Sequence, residues 1–316
     1  MNRLLQIISL ILFTCIASAA DRGPAVPDYP ADKVAGNIYV IHGPLQTPNP
    51  ENQGFMNNPG IVTTSDGVVL LDPGASVQSG EMVLRAVRKL TDKPVVAVFN
   101  SHIHGDHWLG NQAVKAAWPQ AVIYGHPNMI SLIAEGEGKS WVEIMDQLTE
   151  GKTQGTDVVA PDKPVNHGDE IRIGEYTFRM HHYGKAHTTS DVMVEIVEAG
   201  VVFLGDNVLN GRVPRLDDGD IVGNIRSCNE ILKSGAKVYV PGHGKSGDRS
   251  LVDTMHTYYD TVYSSVGKLF ENDLSDFEMK DEISAKLQAF ADWEDFDNQL
   301  GKHISFSYLK VEAESC

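Results

Sequence analysis

Four side chains of metal-binding type fall within six consecutive residues: His102, His104, Asp106 and His107. Imidazole and carboxylate groups together suit zinc best, and iron or manganese are the other candidates. In an extended turn, His102 and His104 point to one side, while Asp106 and His107 turn to the other as a helix begins. One such loop can hold two metal ions side by side. The alternative, a polar loop with histidines bonded to the backbone, explains one histidine more readily than this cluster.

The elements around this cluster place it at the end of a strand. Residues 95–99 are apolar and mostly β-branched, which predicts a buried strand, and residues 108–118 predict a helix. Three further candidate ligands also follow predicted strands: His187, Asp206 and His243. Each lies close to a glycine, where the backbone can turn tightly. Since loops at one edge of a sheet sandwich can converge, we expect all of these side chains to meet at one point.

The predicted elements occur in two successive sets, and each set contains both strands and helices. Strands are predicted over 37–41, 60–64, 68–72, 122–124, 170–173, 176–182, 192–197, 201–204 and 237–240, and helices over 82–90, 128–148, 221–233, 250–270 and 281–293. This order suits an α/β fold with two sheets face to face and helices outside, a four-layer αββα sandwich, although the pattern alone does not select it over a doubly wound sheet.

The loop over 44–58, with Phe55 and Met56, is either a substrate flap or a packed surface loop.

Charge limits the classes of partner. The chain carries 42 acidic against 26 basic residues, a formal net charge of −16, and so lacks a phosphate-neutralising surface. Nucleic acid is therefore not an expected partner, and a small-molecule substrate is.

The first residues predict export. Residues 1–20 combine Arg3, a nearly unbroken apolar run and small residues at 17–19, which is typical of a secretory signal peptide. We therefore expect a secreted, periplasmic protein without membrane contact after cleavage, and an N-terminal anchor is the alternative. Residues 21–316 would form a single domain with C-terminal helices. Cys228 and Cys316 can form a disulfide in an oxidising compartment, but two cysteines make no framework.

Five motifs follow one another along the chain: Asp72 at a strand end, the cluster at 102–107, His187, Asp206 and His243. In this set and order the chain resembles the metallo-β-lactamase superfamily of metallohydrolases, over residues 36–247. The resemblance implies the αββα fold and two metal sites. The first would be formed by His102, His104 and His187, and the second by Asp106, His107 and His243, with Asp206 bridging both. Asp72 would fix a ligand imidazole from behind, and a simple turn aspartate is the alternative.

The chemistry implied by this resemblance is hydrolysis at a dinuclear zinc centre. Two cations share a water, lower its pKa and hold it as hydroxide, while one of them polarises an oxygen of the substrate. Asp106 would orient this hydroxide as well as bind metal, and it is the predicted catalytic residue. The expected substrate is a small ester, thioester, lactone or amide, with a β-lactamase-like side activity.

Asp206 narrows the resemblance within the superfamily. Zinc β-lactamases usually carry cysteine or serine at this position, whereas an aspartate bridge is typical of glyoxalase II-type thioesterases, lactonases and phosphodiesterases. The runs at 100–111 and 184–188 look most like secreted zinc metallohydrolases found near quinoprotein and sulfur-oxidation systems. Glyoxalase II itself binds glutathione through a basic C-terminal region, whereas residues 310–316 are mostly acidic here.

Three basic residues just beyond the ligand positions, Arg212, Arg215 and Lys245, are candidate binding groups for a substrate carboxylate or phosphate. The alternative for each is a solvated loop charge.

Two interpretations outside hydrolysis also stay open. One is a mononuclear iron oxygenase of the same fold that acts on a thiol or persulfide. The other is a non-catalytic metal-binding protein, which predicts lost ligands, and none is lost here.

Overall fold

Two β-sheets form the middle of the molecule in the computed structural model, which describes residues 22–315. The predicted signal peptide over 1–20 and Cys316 lie outside the described residues. The first sheet consists of β1 (Ala31–Ala35), β2 (Ile38–Ile41), β3 (Gly60–Thr63), β4 (Val68–Leu71), β5 (Val95–Phe99), β6 (Val122–Gly125) and β7 (Lys163–Pro164). The second sheet consists of β8 (Glu170–Ile173), β9 (Tyr176–His181), β10 (Met193–Ile196), β11 (Val201–Phe203) and β12 (Val238–Val240). The α-helices are α1 (Val77–Leu90), α2 (Gly105–Trp108), α3 (Asn111–Ala117), α4 (Pro127–Leu132), α5 (Gly138–Leu148), α6 (Ile221–Ile231), α7 (Arg249–Phe270), α8 (Lys280–Lys286) and α9 (Phe296–Ser315).

Strand directions bring the loops of interest to one edge. In the first sheet the strands lie side by side in chain order, and β4, β5 and β6 run parallel. In the second sheet β11 and β12 are parallel, while β10 is antiparallel to both β9 and β11. Strands β9, β11 and β12 therefore point the same way, and their carboxyl ends share one edge of the sheet.

Alternating side chains on β4 show how the layers form. Val68 and Leu70 face α1 and α3 in one buried cluster, whereas Val69 and Leu71 face the second sheet in another. This period of two is what a strand buried on both faces requires. Between the sheets, Phe99 of β5 stacks on Phe178 of β9 with ring centroids 5.3 Å apart.

A third cluster covers the outer face of the second sheet with α6, α7, α8 and α9. Together the clusters define helix, sheet, sheet and helix layers, so the predicted αββα sandwich is confirmed. Hairpin turns at 65–67 and 198–200 join the antiparallel pairs β3 and β4, and β10 and β11.

Several predicted boundaries are wrong for local reasons. The helix predicted over 108–118 is the end of α2 followed by α3, and Gly110 between them lies against the backbone of Pro73, where a Cβ would come within 2.3 Å of the carbonyl oxygen. The helix predicted over 128–148 is broken by a π-helical turn at Ile133–Glu137, in which Gly136 has φ 118°, a conformation that favours glycine. The helix predicted over 281–293 ends at Lys286.

Three elements were not predicted at all: β1, the two-residue strand β7 and α9. Strand β1 is an edge strand with exposed charged positions, so it lacks the apolar alternation of an inner strand. In α9 the buried face includes Gln299, His303 and Ser307, which hides the helical hydrophobic period. Burial lowers the pKa of His303 to about 4, and its neutral ring accepts a hydrogen bond from the Tyr258 hydroxyl at 2.8 Å.

Among residues 22–315, no helix has the length and apolar character needed to cross a membrane. Cys228 is fully buried and forms no disulfide within the described residues, and burial raises the pKa of its thiol to about 12.

The packing of α9 on α7 predicts a stability difference between two leucines. Leu300 is 1% exposed in the cluster with α7, whereas Leu309 on the same helix is 60% exposed. Leu300→Ala should lower the free energy of unfolding by about 2–4 kcal/mol, because it leaves a cavity. Leu309→Ala, the matched control, should change it by less than about 0.5 kcal/mol. Equal shifts of the two urea unfolding midpoints would contradict this packing.

Candidate metal centre

The histidine-rich loop begins where β5 ends and is tied at both ends. The backbone N–H of Asn100 donates to the carbonyl oxygen of Tyr124 on β6 at 2.9 Å. The side-chain amides of Asn100 and Asn111 donate to each other at 2.8 and 3.2 Å, which joins the two ends of the loop. The indole of Trp108 is fully buried and donates to the carbonyl oxygen of Ile103 at 2.7 Å.

A change of backbone conformation inside the loop separates its ligand-type side chains. His104 caps α2 in extended conformation, with φ −65° and ψ 133°, and Asp106 and His107 lie within the single turn of α2. The side chains before and after this point therefore leave the backbone in different directions.

Ligand-type atoms converge in three overlapping groups. One trio is His102, His104 and His187, a second trio is Asp106, His107 and His243, and the third group, His102, His107 and Asp206, shares a member with each trio. Within each group, one side-chain nitrogen or oxygen from each residue lies within 4.8 Å of the others.

Asp206 lies between the trios. One carboxylate oxygen, Oδ1, is 3.1 Å from Nε2 of His107, and the other, Oδ2, is 3.3 Å from Nε2 of His243. Oδ2 is also 3.6 Å from Nε2 of His187, which belongs to the other trio. A single carboxylate therefore reaches both groups, and all of the predicted ligands meet at one place.

Four of the imidazoles have a hydrogen-bond partner on the ring nitrogen that points away from the centre of the cluster, here called the outer nitrogen. The partners are Ser101 Oγ for His102 at 2.9 Å, Asp218 Oδ2 for His104 at 3.2 Å, Asp72 Oδ2 for His107 at 2.9 Å and the Met56 carbonyl oxygen for His243 at 2.9 Å. An imidazole whose outer N–H donates to an oxygen presents its other nitrogen as a lone pair.

The inner atoms fit a metal ion. Nε2 of His102, Nε2 of His107 and Oδ1 of Asp206 are buried and have no hydrogen-bond partner among the described residues. Buried polar atoms without partners are costly, and convergent nitrogen and oxygen atoms are the donors that zinc, iron and manganese accept. The donor set of the chain therefore matches a divalent cation in each trio.

Charge in the cluster is distributed unevenly. Burial lowers the pKa of His102, and the neighbouring imidazoles lower it further. His107 is equally buried, yet the carboxylates of Asp106, Asp206 and Asp72 outweigh burial and raise its pKa well above the ordinary value. Burial likewise lowers the pKa of His187 to about 3, so His102 and His187 are neutral imidazoles, whereas His107 lies beside carboxylates.

Asp72 supports the loop with both carboxylate oxygens. Oδ2 meets His107, and Oδ1 accepts the backbone N–H of Ser101 at 2.8 Å. Asp72 itself has φ 48°, in the left-handed region that aspartate tolerates better than most residues. The side chain thereby links the end of β4 to both ends of the metal loop.

The loop over 44–58 packs against the rest of the protein, and its residues Thr47, Pro48 and Met56 also line a cavity beside the ligand cluster. Phe55 is fully buried against Tyr29, with ring centroids 4.8 Å apart. Asn57 donates to the carbonyl oxygen of Asp72 at 2.8 Å, and Asn58 donates to that of Pro241 at 2.8 Å. The loop therefore binds to the loops of both sheets.

A cavity of about 300 Å³ opens onto the cluster. Arg212 and Arg215 line it, but both are paired with carboxylates: Arg212 with Asp295 at 2.6 Å and Arg215 with Asp217 at 3.0 Å. Lys245 lies outside the lining, because its Nζ points to Asp32, 3.5 Å away. Of the predicted substrate-binding residues, two reach the cavity and one does not.

Some residues of the site gave no sequence signal. Asp218, Trp141, Ile144 and Leu148 line the cavity, yet they carry no motif and lie far along the chain from the residues they face. His181 and His182, close in sequence to His187, belong to none of the ligand groups found among residues 22–315. His181 pairs instead with Glu195 at 2.8 Å.

Comparison with known families identifies this architecture. The family model for the metallo-beta-lactamase superfamily matches residues 52–243, more than half of the chain. The chain therefore belongs to the metallo-beta-lactamase superfamily, as the motifs predicted, and the prediction of a metal-dependent hydrolase is confirmed at the level of the family.

Solved structures share the fold. A metallo-beta-lactamase from Pontibacter korlensis aligns with a TM-score of 0.59 and 20% identity, over 73% of this chain and 98% of its own. A stereoselective inverting sec-alkylsulfatase from Pseudomonas aligns with a TM-score of 0.69 and 15% identity, over 89% of this chain and 50% of its own. A Pseudomonas linear primary-alkylsulfatase is 36% identical over 53 residues, which are 17% of this chain and 10% of that protein. The chain thus spans half or less of the alkylsulfatases it matches.

Because Asp72 contacts His107, a substitution at Asp72 should lower the affinity for metal. Asp72→Asn keeps the side-chain shape and tolerates the left-handed backbone, but removes the charge that faces the imidazole. Affinity for divalent metal should fall about tenfold, measured as zinc binding in competition with a chromogenic chelator. Asp92→Asn, at an exposed aspartate, is the control and should bind as the unchanged protein does. Unaltered zinc affinity in Asp72→Asn would contradict the supporting role.

Gly242 predicts a second, steric effect on the same site. A Cβ at this position would lie 1.9 Å from Oδ1 of Asp206, so alanine must displace the carboxylate between the trios. Gly242→Ala should therefore bind less divalent metal per chain than the unchanged protein and unfold about 1–3 kcal/mol more easily. Gly267→Ala in α7 meets no atom within 4 Å and should be neutral or slightly stabilising, with full metal content. Normal metal content in Gly242→Ala would overturn this role of Asp206.

Proposed function

We propose that the protein is a dinuclear zinc hydrolase that acts on the carbonyl group of a small ester, thioester, lactone or amide. The observation that carries this proposal is the pair of ligand trios with Asp206 between them. Two bound zinc ions would supply a hydroxide nucleophile near neutral pH and polarise the carbonyl oxygen under attack.

Asp106 is the side chain that would position the attacking water. Asp106 Oδ2 lies 3.3 Å from Nε2 of both His107 and His243, at the wall of the cavity. Burial would raise the pKa of Asp106, but these two imidazoles lower it well below the ordinary value. The carboxylate is therefore ionised, and it can accept a hydrogen bond from the attacking water and fix its direction.

A sulfate ester is a second candidate substrate. The structural match to the sec-alkylsulfatase extends over 89% of this chain, more than the 73% matched by the metallo-beta-lactamase from Pontibacter. A short stretch is also 36% identical to a linear primary-alkylsulfatase. These matches support the inclusion of alkyl sulfates beside carbonyl substrates in any assay.

Metal content separates hydrolysis from the alternative iron chemistry. Protein purified without chelator should contain about two zinc ions per chain and hydrolyse a chromogenic ester, thioester, lactone, cephalosporin or alkyl sulfate. One iron per chain, with oxygen consumption on thiol substrates, would favour the oxygenase.

We further propose that the protein works in the periplasm, on the strength of its signal-like residues 1–20.

Asp106→Asn tests the proposed role of the carboxylate. The substitution keeps the size of a buried side chain and removes the charge that orients the nucleophile. We expect kcat to fall at least about 100-fold, in the range typical of lost general-base or orienting groups, with most of the fold intact by circular dichroism. Asp260→Asn, at an exposed position of α7, is the control. Near-normal turnover in the zinc-loaded Asp106→Asn variant would refute this mechanism.

A further inference from the structure

An apolar wall leads from the candidate metal centre to the surface. Trp141, Ile144, Met145 and Leu148 line the cavity from one face of α5, at the spacing of three and four residues that aligns side chains on a helix. Met145 is buried at 1% exposure and fixes the helix to the core beneath. Ile144 and Leu148 keep 38% and 47% exposure, so this face of α5 offers apolar surface to a molecule in the cavity.

The wall begins at a metal-ligand side chain. The ring of Trp141 lies 4.9 Å from that of His104, measured between centroids. Across the cavity, Met56 and Leu209 supply apolar surface, and the backbone oxygen of Met56 holds His243 at 2.9 Å. A molecule seated on this wall would therefore have one end at the ligand cluster.

The charged groups of the lining do not favour a second anionic group on the substrate. Arg212 and Arg215 are both paired with carboxylates, and Asp217 and Asp218 add negative charge at the mouth. The surface left for the part of a substrate remote from the reacting group is apolar.

We infer that the substrate carries an alkyl or aryl chain that packs against Ile144 and Leu148 of α5 while its reacting group lies at the ligand trios. This inference rests on the proposed hydrolase function and specifies its substrate class. Ile144 and Leu148 thereby act as residues that determine specificity.

The kinetic test uses the zinc-loaded protein and 4-nitrophenyl esters from acetate to octanoate. The value of kcat/KM should rise by up to about fourfold for each added methylene, the factor expected when a methylene leaves water. In the variant with Ile144→Ser and Leu148→Ser this dependence should flatten. Leu309→Ser, at a comparably exposed leucine of α9, is the control and should keep the full dependence.

A binding test separates this inference from the proposed function. Straight-chain carboxylates from acetate to octanoate are titrated into the zinc-loaded protein, and Trp141 fluorescence is followed, with Trp141→Phe to identify the signal. Affinity should rise with chain length in the unchanged protein and much less in the double variant. This result would support the inference even if no ester, thioester, lactone or amide were hydrolysed, in which case the proposed function alone would fail.

Other outcomes would overturn the inference. Hydrolysis of esters with rates and affinities independent of chain length would leave the hydrolase in place and refute the apolar subsite. A double variant that changes only the oligomeric state, measured by light scattering, would show that the α5 wall is a contact between copies of the chain and not a substrate surface.

Discussion

The need to hold several charged and lone-pair-bearing atoms together in a buried space governs the rest of this structure. Asp106, Asp206 and the imidazoles around them lie within hydrogen-bonding distance of one another, out of water, and some of their atoms lack partners among the described residues. Burial of such groups is costly unless a counter-charge is supplied. The cluster can therefore persist because its backbone is fixed independently, and divalent metal held by these donors would supply the missing counter-charge.

The sandwich fixes that backbone from both sides. The aromatic core at Phe99 and Phe178 aligns the two sheets, and the parallel strands β4 and β5 bring Asp72 next to the metal loop. In the second sheet, the N–H of Gly242 donates to the carbonyl oxygen of Gly205 at 2.9 Å, which joins the loops that carry Asp206 and His243. Asn57 and Asn58 then connect the loops of one sheet to those of the other. The positions of ligands that are distant in sequence thus depend on hydrogen bonds between uncharged backbone and asparagine groups.

The ligands could be predicted from the sequence, whereas many of their supports could not. The cluster at 102–107 holds enough ligand-type residues to predict a metal site without other information, and the remaining candidate ligands each follow a strand close to a glycine. Strand and helix order then predicted the layers, because each buried strand keeps its apolar period. By contrast, Asp218 and the asparagines of the 44–58 loop act through contacts across the fold, which no local pattern encodes. Helix α9 escaped prediction because polar residues such as His303 occupy its buried face, where tertiary partners such as Tyr258 satisfy them.

The metal centre and the substrate wall come from different parts of the chain, and this separation has a consequence for specificity. The ligands lie on loops at the shared edge of the sheets, while the wall is α5, which follows the π-helical turn and the positive φ of Gly136. Outward residues such as Ile144 and Leu148 can therefore change without disturbing a ligand. Trp141 cannot, because it packs on both His104 and Gly105, where an added Cβ would lie 3.0 Å from the Trp141 Cβ. Substrate range is thus free to vary toward the outer end of α5 and is constrained at the inner end, where the helix contacts the metal loop.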